Sequence, residues 1–158
     1  MEKIASFTVD HKILKEGLYI SRIDGTGNDI VTYDLRMVRP NIPPFLDNAA
    51  VHTIEHLFAT FVRNSPIKDS IIYFGPMGCL TGFYFIVQGM ESQTVLNLVC
   101  SALKFIADYE GEIPGSREEE CGNYKMHDLF TAKKYAAKML NILADWNITK
   151  MKYNIHFI

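Results

Sequence analysis

The chain is expected to fold as an α+β protein, an antiparallel β-sheet with helices packed on one face. Three observations lead there. Strand-like and helix-like stretches are mixed without strict alternation. Neighbouring strand candidates are joined by short connections, which suit antiparallel pairing rather than crossovers. The clearest helix candidate carries one apolar stripe, so it needs a single surface to cover it. With 158 residues, one domain over residues 1–158 and one sizeable core are expected.

In chain order, residues 4–14 read as an extended segment with a polar end, Asp10-His11-Lys12. Residues 18–23 suit a strand, and Gly25-Thr26-Gly27-Asn28 is a turn signal. Val31, Tyr33, Leu35 and Met37 alternate with Thr32, Asp34 and Arg36. That period of two predicts a half-buried strand with Arg36 on its polar face. The prolines at 40, 43 and 44 mark residues 39–44 as a loop. Asp47 or Asn48 can cap a helix that runs to about residue 62, and Asn64-Ser65-Pro66 ends it. Residues 71–74 and 82–87 read as strands around a glycine-rich turn. Ser92 can cap a helix through about residue 109, with Val95, Leu96, Val99, Leu103 and Ile106 inside. Residues 111–115 break the pattern, and the charge run 117–120 is expected on a solvated face. A last helix spans about 129–146. The tail alternates Tyr153, Ile155 and Phe157 with polar residues, as a final strand would.

Composition narrows the function classes. The 48% hydrophobic and 22% charged content is that of a soluble globular protein. A formal net charge of −2 and the absence of a basic run argue against a nucleic-acid surface. No apolar run approaches the ~18 residues of a membrane span, and no signal-peptide core follows Met1. Three cysteines, an odd number, make no disulfide framework, so a reducing cytoplasmic setting is expected.

The stretch with chemistry in it is His52-Thr53-Ile54-Glu55-His56. Helical residues are about 100° apart, so the two imidazoles stack one turn from each other. Two imidazoles at that spacing can hold one divalent metal, with Glu55 beside them to move protons. A polar trio on the outer face of an amphipathic helix is also ordinary. Ile54, Leu57, Phe58, Phe61 and Val62 form the core stripe, roughly 180° from the trio on the wheel. The trio is therefore open to water, or covered by another part of the chain or a second subunit.

The cysteines differ in prospect. Cys100 lies among Leu98, Val99 and Leu103 and reads as an inert packed thiol. Cys79, on a turn between Gly78 and Gly82, is either a structural residue or a reactive thiol. Cys121 sits in a polar stretch. As a third ligand it would give a His2Cys site with one position open, suited to zinc or ferrous iron rather than magnesium or calcium. His127 stays open between a supporting role at that site and a folding role. The main alternative is an inverted-motif zinc metallopeptidase, which also uses H-x-x-E-H on a helix.

Five stretches in order resemble the S-ribosylhomocysteine lyase (LuxS) family. They are Ser6-Phe7-Thr8-Val9-Asp10-His11; Asp34-Leu35-Arg36 with Arg39-Pro40-Asn41; His52-Thr53-Ile54-Glu55-His56; Pro76-Met77-Gly78-Cys79 with Thr81-Gly82-Phe83-Tyr84; and Cys121-Gly122 with His127-Asp128-Leu129. The resemblance implies a LuxS-like fold related to metallohydrolases. It implies that His52, His56 and Cys121 hold one Fe2+ per subunit, replaceable by zinc or cobalt. It makes Cys79 and Glu55 the general acid/base pair and gives Ser6, His11 and Arg36 to substrate binding. It implies a homodimer with sites at the interface, acting on S-ribosylhomocysteine and making the autoinducer-2 precursor. Thr32, Tyr73 and Leu80 depart from the family pattern, where a lysine, an aspartate and a polar residue are common. In the implied reaction the sugar carbonyl migrates by proton transfers until the sulfur stands β to it and leaves as homocysteine.

Overall fold

A computed structural model describes residues 8–153. Its order is β1 (Gly17–Asp24), β2 (Ile30–Arg36), α1 (Asn48–Arg63), β3 (Ile71–Pro76), β4 (Gly82–Gln88), α2 (Ser92–Asp108) and α3 (Leu129–Leu143), with short 3-10 turns at Lys68–Ser70 and Ile148–Met151. The strands form one antiparallel sheet in the order β1-β2-β4-β3. The expected α+β architecture is the one observed.

The register follows from side-chain alternation. Tyr33 pairs with Phe85 and Leu35 with Phe83 across β2 and β4. These four side chains, with Leu18 and Val87, are fully buried. The helices cover this face. Phe58 of α1 stacks on Phe74 of β3 at 3.8 Å between ring centroids and meets Phe85 edge-on at 5.3 Å. Burying each such ring contributes roughly 1.5–3 kcal/mol. α2 and α3 pack on each other and on α1, closing the core with Val99, Leu103, Ile106, Ala136 and Met139.

The expected half-buried character of β2 is corrected. Thr32, Asp34 and Arg36, on its polar face, are buried as well. Arg36 and Asp34 make this tolerable by pairing through two hydrogen bonds, Nη2 to Oδ2 at 2.6 Å and Nε to Oδ1 at 3.1 Å. Tyr153 donates its hydroxyl to the same carboxylate at 2.7 Å and stacks on Tyr19 at 5.0 Å, so its ring covers part of this face.

Other differences are local. The described part of residues 4–14 is turned rather than extended. Asp10 accepts the Lys12 N–H on its side chain and the Ile13 and Leu14 N–H groups on its carbonyl. Ser92 does not cap α2. Glu91 stands at that position, and the Ser92 hydroxyl bonds the Tyr33 hydroxyl at 3.0 Å. α3 stops at Leu143 because Trp146 turns back, its indole N–H donating to the Leu18 carbonyl at 2.9 Å. The tail beyond Tyr153, where a last strand is expected, lies outside the described residues, as does Ser6.

Candidate metal centre and thiol cleft

Asp47 starts α1 by accepting the Ala49 and Ala50 N–H groups on its carboxylate, so the expected cap is present. The helix then presents His52 and His56 on one side, their ring centroids 4.5 Å apart. The Cys121 sulfur lies 3.4 Å from His52 Nε2 and 3.9 Å from His56 Nε2. One donor atom from each of the three falls within 4.8 Å of the others.

The ring nitrogens facing away from the sulfur are both engaged. His52 Nδ1 donates to the Met126 carbonyl at 2.8 Å, and His56 Nδ1 to the Pro114 carbonyl at 2.7 Å. A carbonyl only accepts, so each Nδ1 carries the proton and each Nε2 keeps its lone pair for a metal. Gly115 permits this: a Cβ there would stand 3.1 Å from His56 Nδ1, and its φ of +71° suits glycine. The donor set and its outer hydrogen bonds fit a divalent ion of the zinc or ferrous kind.

The segment carrying Cys121 is tied back to α1. Thr53, fully buried, accepts the Asp128 N–H at 3.0 Å, and His127 Nδ1 lies 3.2 Å from the same hydroxyl. The chain's own loops thus cover much of the polar side of α1. Burial, then the His52 and His56 neighbours, push His127 down to about 4. Glu55 lines an open cavity of about 460 Å³ with His52, His56, Pro114 and Gly115.

Cys79 sits elsewhere, exposed on the β3–β4 turn. The turn closes by Leu80 N–H to the Met77 carbonyl at 3.0 Å, with Leu80 at φ +56°. Its backbone carbonyls at Leu80 and Thr81 accept from Leu46, Met37 and Val38, which pins it to the proline loop. Gly82 lets β4 approach β2, since a Cβ there would meet the Leu35 carbonyl at 2.3 Å. That approach brings Arg36 to the thiol: Nη1 donates to Thr81 Oγ1 at 2.5 Å and stands 4.0 Å from the Cys79 sulfur, which is 3.0 Å from the same hydroxyl. Cys79, Arg36 and His11 line a cleft of about 440 Å³. His11 donates Nδ1–H to the Val9 carbonyl at 2.8 Å, leaving Nε2 as an acceptor.

The expected residues therefore gather in two groups, His52, His56, Cys121 and Glu55 in one and Cys79, Arg36 and His11 in the other. The two cavities share no lining residue. Cys100 is half-buried in α2, where burial pushes its thiol up. Thr81, Thr53 and Asp34 hold these groups in place, although sequence reasoning gave none of them a role. Only Asp34 left a signal, standing two residues before Arg36 and so on the same strand face.

Residues 4–150 match the family described as S-ribosylhomocysteinase (LuxS). The chain belongs to the LuxS family. It is similar to proteins named S-ribosylhomocysteine lyase, among them one from Phocaeicola vulgatus, 49% identical over 144 residues and covering 89% of each chain. Another, from Porphyromonas gingivalis, is 46% identical and covers 94% of this chain and 98% of its own. A third, from Borreliella burgdorferi, is 47% identical over 97% of this chain and 99% of its own. LuxS membership leaves the metallopeptidase alternative without support. A thiol in the third donor position also departs from the carboxylate such a peptidase usually uses.

Proposed function

We propose that this chain is a metal-dependent lyase that cleaves the thioether of S-ribosylhomocysteine to homocysteine and 4,5-dihydroxy-2,3-pentanedione, the autoinducer-2 precursor used in quorum sensing. The observation that carries this is the LuxS match over residues 4–150. In this reading His52, His56 and Cys121 hold Fe2+, which zinc or cobalt can replace. When bound, the ion supplies Lewis-acid polarisation of the sugar oxygens.

Cys79 acts as the base that takes a proton from one sugar carbon and returns it to the neighbour, moving the carbonyl one position. The Arg36 guanidinium, 4.0 Å from the sulfur, is placed to stabilise negative charge there. Asp34 keeps that guanidinium in place. Once the carbonyl stands at C3, Glu55 takes the C4 proton. The C5–S bond then breaks with its electron pair going to sulfur, and Glu55 returns a proton to the departing homocysteine. Ser6, His11 and Arg36 bind the substrate.

Two cavities without a common lining residue favour a homodimer in which the thiol cleft of one subunit faces the metal centre of the other. Three free cysteines favour the reducing cytoplasm. The test is anaerobic purification, metal analysis, and thiol release from S-ribosylhomocysteine. One divalent ion per chain and stoichiometric homocysteine are expected. A metal-loaded preparation that releases no thiol would overturn the assignment.

A further inference from the structure

His127 has more built around it than a folding role explains. Its ring lies flat against His52, 4.3 Å between centroids and 13° from parallel, and edge-on to His56 at 5.0 Å. Its tautomer can be worked out. The Thr53 hydroxyl gives its single proton to the Ala49 carbonyl at 2.9 Å and accepts the Asp128 N–H. At its 3.2 Å contact with His127 Nδ1 the hydroxyl can then only accept, so Nδ1 carries the proton. His127 Nε2 is left with a bare lone pair. That atom is buried and has no hydrogen-bond partner among the described residues, an arrangement proteins seldom leave unused. Its two ring neighbours cannot serve it. Both their Nδ1 protons go to the Met126 and Pro114 carbonyls, and both their Nε2 atoms face Cys121.

We propose that His127 is a working part of the metal centre, its face fixing the plane of the His52 ring and its Nε2 lone pair accepting from a protic ligand, water or a sugar hydroxyl, bound there. This rests on the lyase reading of that centre. The two tasks separate by substitution. His127→Phe keeps a flat face and removes the lone pair, whereas His127→Ala removes both.

The experiment loads wild type and both variants with Co2+. It records the visible and thiolate-to-cobalt absorption, the rate of metal loss to a chelator, and homocysteine release. Loss of an outer partner of a metal site typically costs about 10- to 100-fold in affinity or activity. His127→Phe is expected to keep the wild-type spectrum and metal-loss rate while turnover falls by that factor. His127→Ala is expected to shift the spectrum and lose metal at least about tenfold faster. Wild-type turnover in the Phe variant overturns the acceptor role. An unshifted spectrum in the Ala variant, or a shifted one in the Phe variant, overturns the positioning role. Should the Ala variant fail to fold, His127→Leu, which fills the space without a flat face, takes its place, and an unshifted spectrum in it overturns the positioning role. A wild-type protein that shows no cobalt–thiolate band, or binds cobalt and releases no homocysteine, sinks the lyase reading and this proposal with it. Sound wild type with insensitive variants sinks only the proposal.

Discussion

At the scale of single residues, the Asp34–Arg36 pair shows what this chain sets in place to aim one cation. Both side chains are almost wholly buried. Burial opposes the guanidinium's charge, yet the Asp34 carboxylate, helped by Cys79 and Tyr153, offsets it, and Arg36 is held above its ordinary value. Tyr153, itself raised by burial and by Asp34, stays protonated and donates to that carboxylate. Removing one member of a buried pair strands the other, at a cost of about 3–5 kcal/mol. Asp34→Ala is therefore expected to lose stability on that scale in urea unfolding, and a loss below 1 kcal/mol would mean water already reaches Arg36. Cys79 behaves in the opposite way. It is exposed, and among the described residues its sulfur bonds to Thr81 and Arg36. Cys79→Ala is expected to keep the fold and a full complement of metal, because the sulfur is outside the His52–His56–Cys121 group. Acid–base groups are worth ~10²–10⁴-fold, so homocysteine release should fall by at least that lower factor. Normal release, read with a thiol reagent, would remove Cys79 from the chemistry.

At the scale of elements, α1 sets the position of three of the four residues around the metal centre through its apolar stripe and its cap. Ile54, Leu57 and Phe58 are fully buried, and Asp47 holds two first-turn N–H groups. Asp47→Ala is expected to cost about 1 kcal/mol, visible as a lower Tm. Metal stoichiometry should be unchanged, since the cap is a full turn from His52. A variant that melts like wild type would show that tertiary packing alone holds the helix start. The stripe and the cap were legible in the sequence because both are local signals, read within a few residues. The same holds for β1 to β4 and for the turn at residues 25–28. What was not legible depends on distant partners. Ser92 resembles a cap, but Tyr33, 59 positions away in sequence, takes its hydroxyl. β2 looks half-exposed because alternation reports side-chain polarity, whereas Asp34, Arg36 and Tyr153 satisfy one another inside. The members of the His52–His56–Cys121 group were readable as residue types. That Cys121 reaches both imidazoles depends on Met126, His127 and Asp128 docking on α1, which no spacing rule encodes.

At the scale of the whole molecule, one chain carries two separate groups, His52, His56 and Cys121 beside α1 and a thiol cleft at the end of the sheet. A symmetric pairing places each surface against its counterpart twice. It would join the cleft of one copy to the metal centre of the other, giving two equivalent sites. That geometry can be tested without a structure of the dimer. Cys79→Ala disables only the cleft and His56→Ala only the metal centre, so each variant alone is expected to be inactive. In a mixed dimer one site carries both lesions and the other carries none. Co-expression with two different tags, followed by tandem purification, isolates that mixed species. About half of the wild-type turnover per dimer is expected, because one of two symmetry-related sites is intact. If each chain instead completed its own site, both sites of the mixed dimer would hold one lesion. Thiol release would then stay at the level of the single variants, and the shared-site arrangement would be wrong.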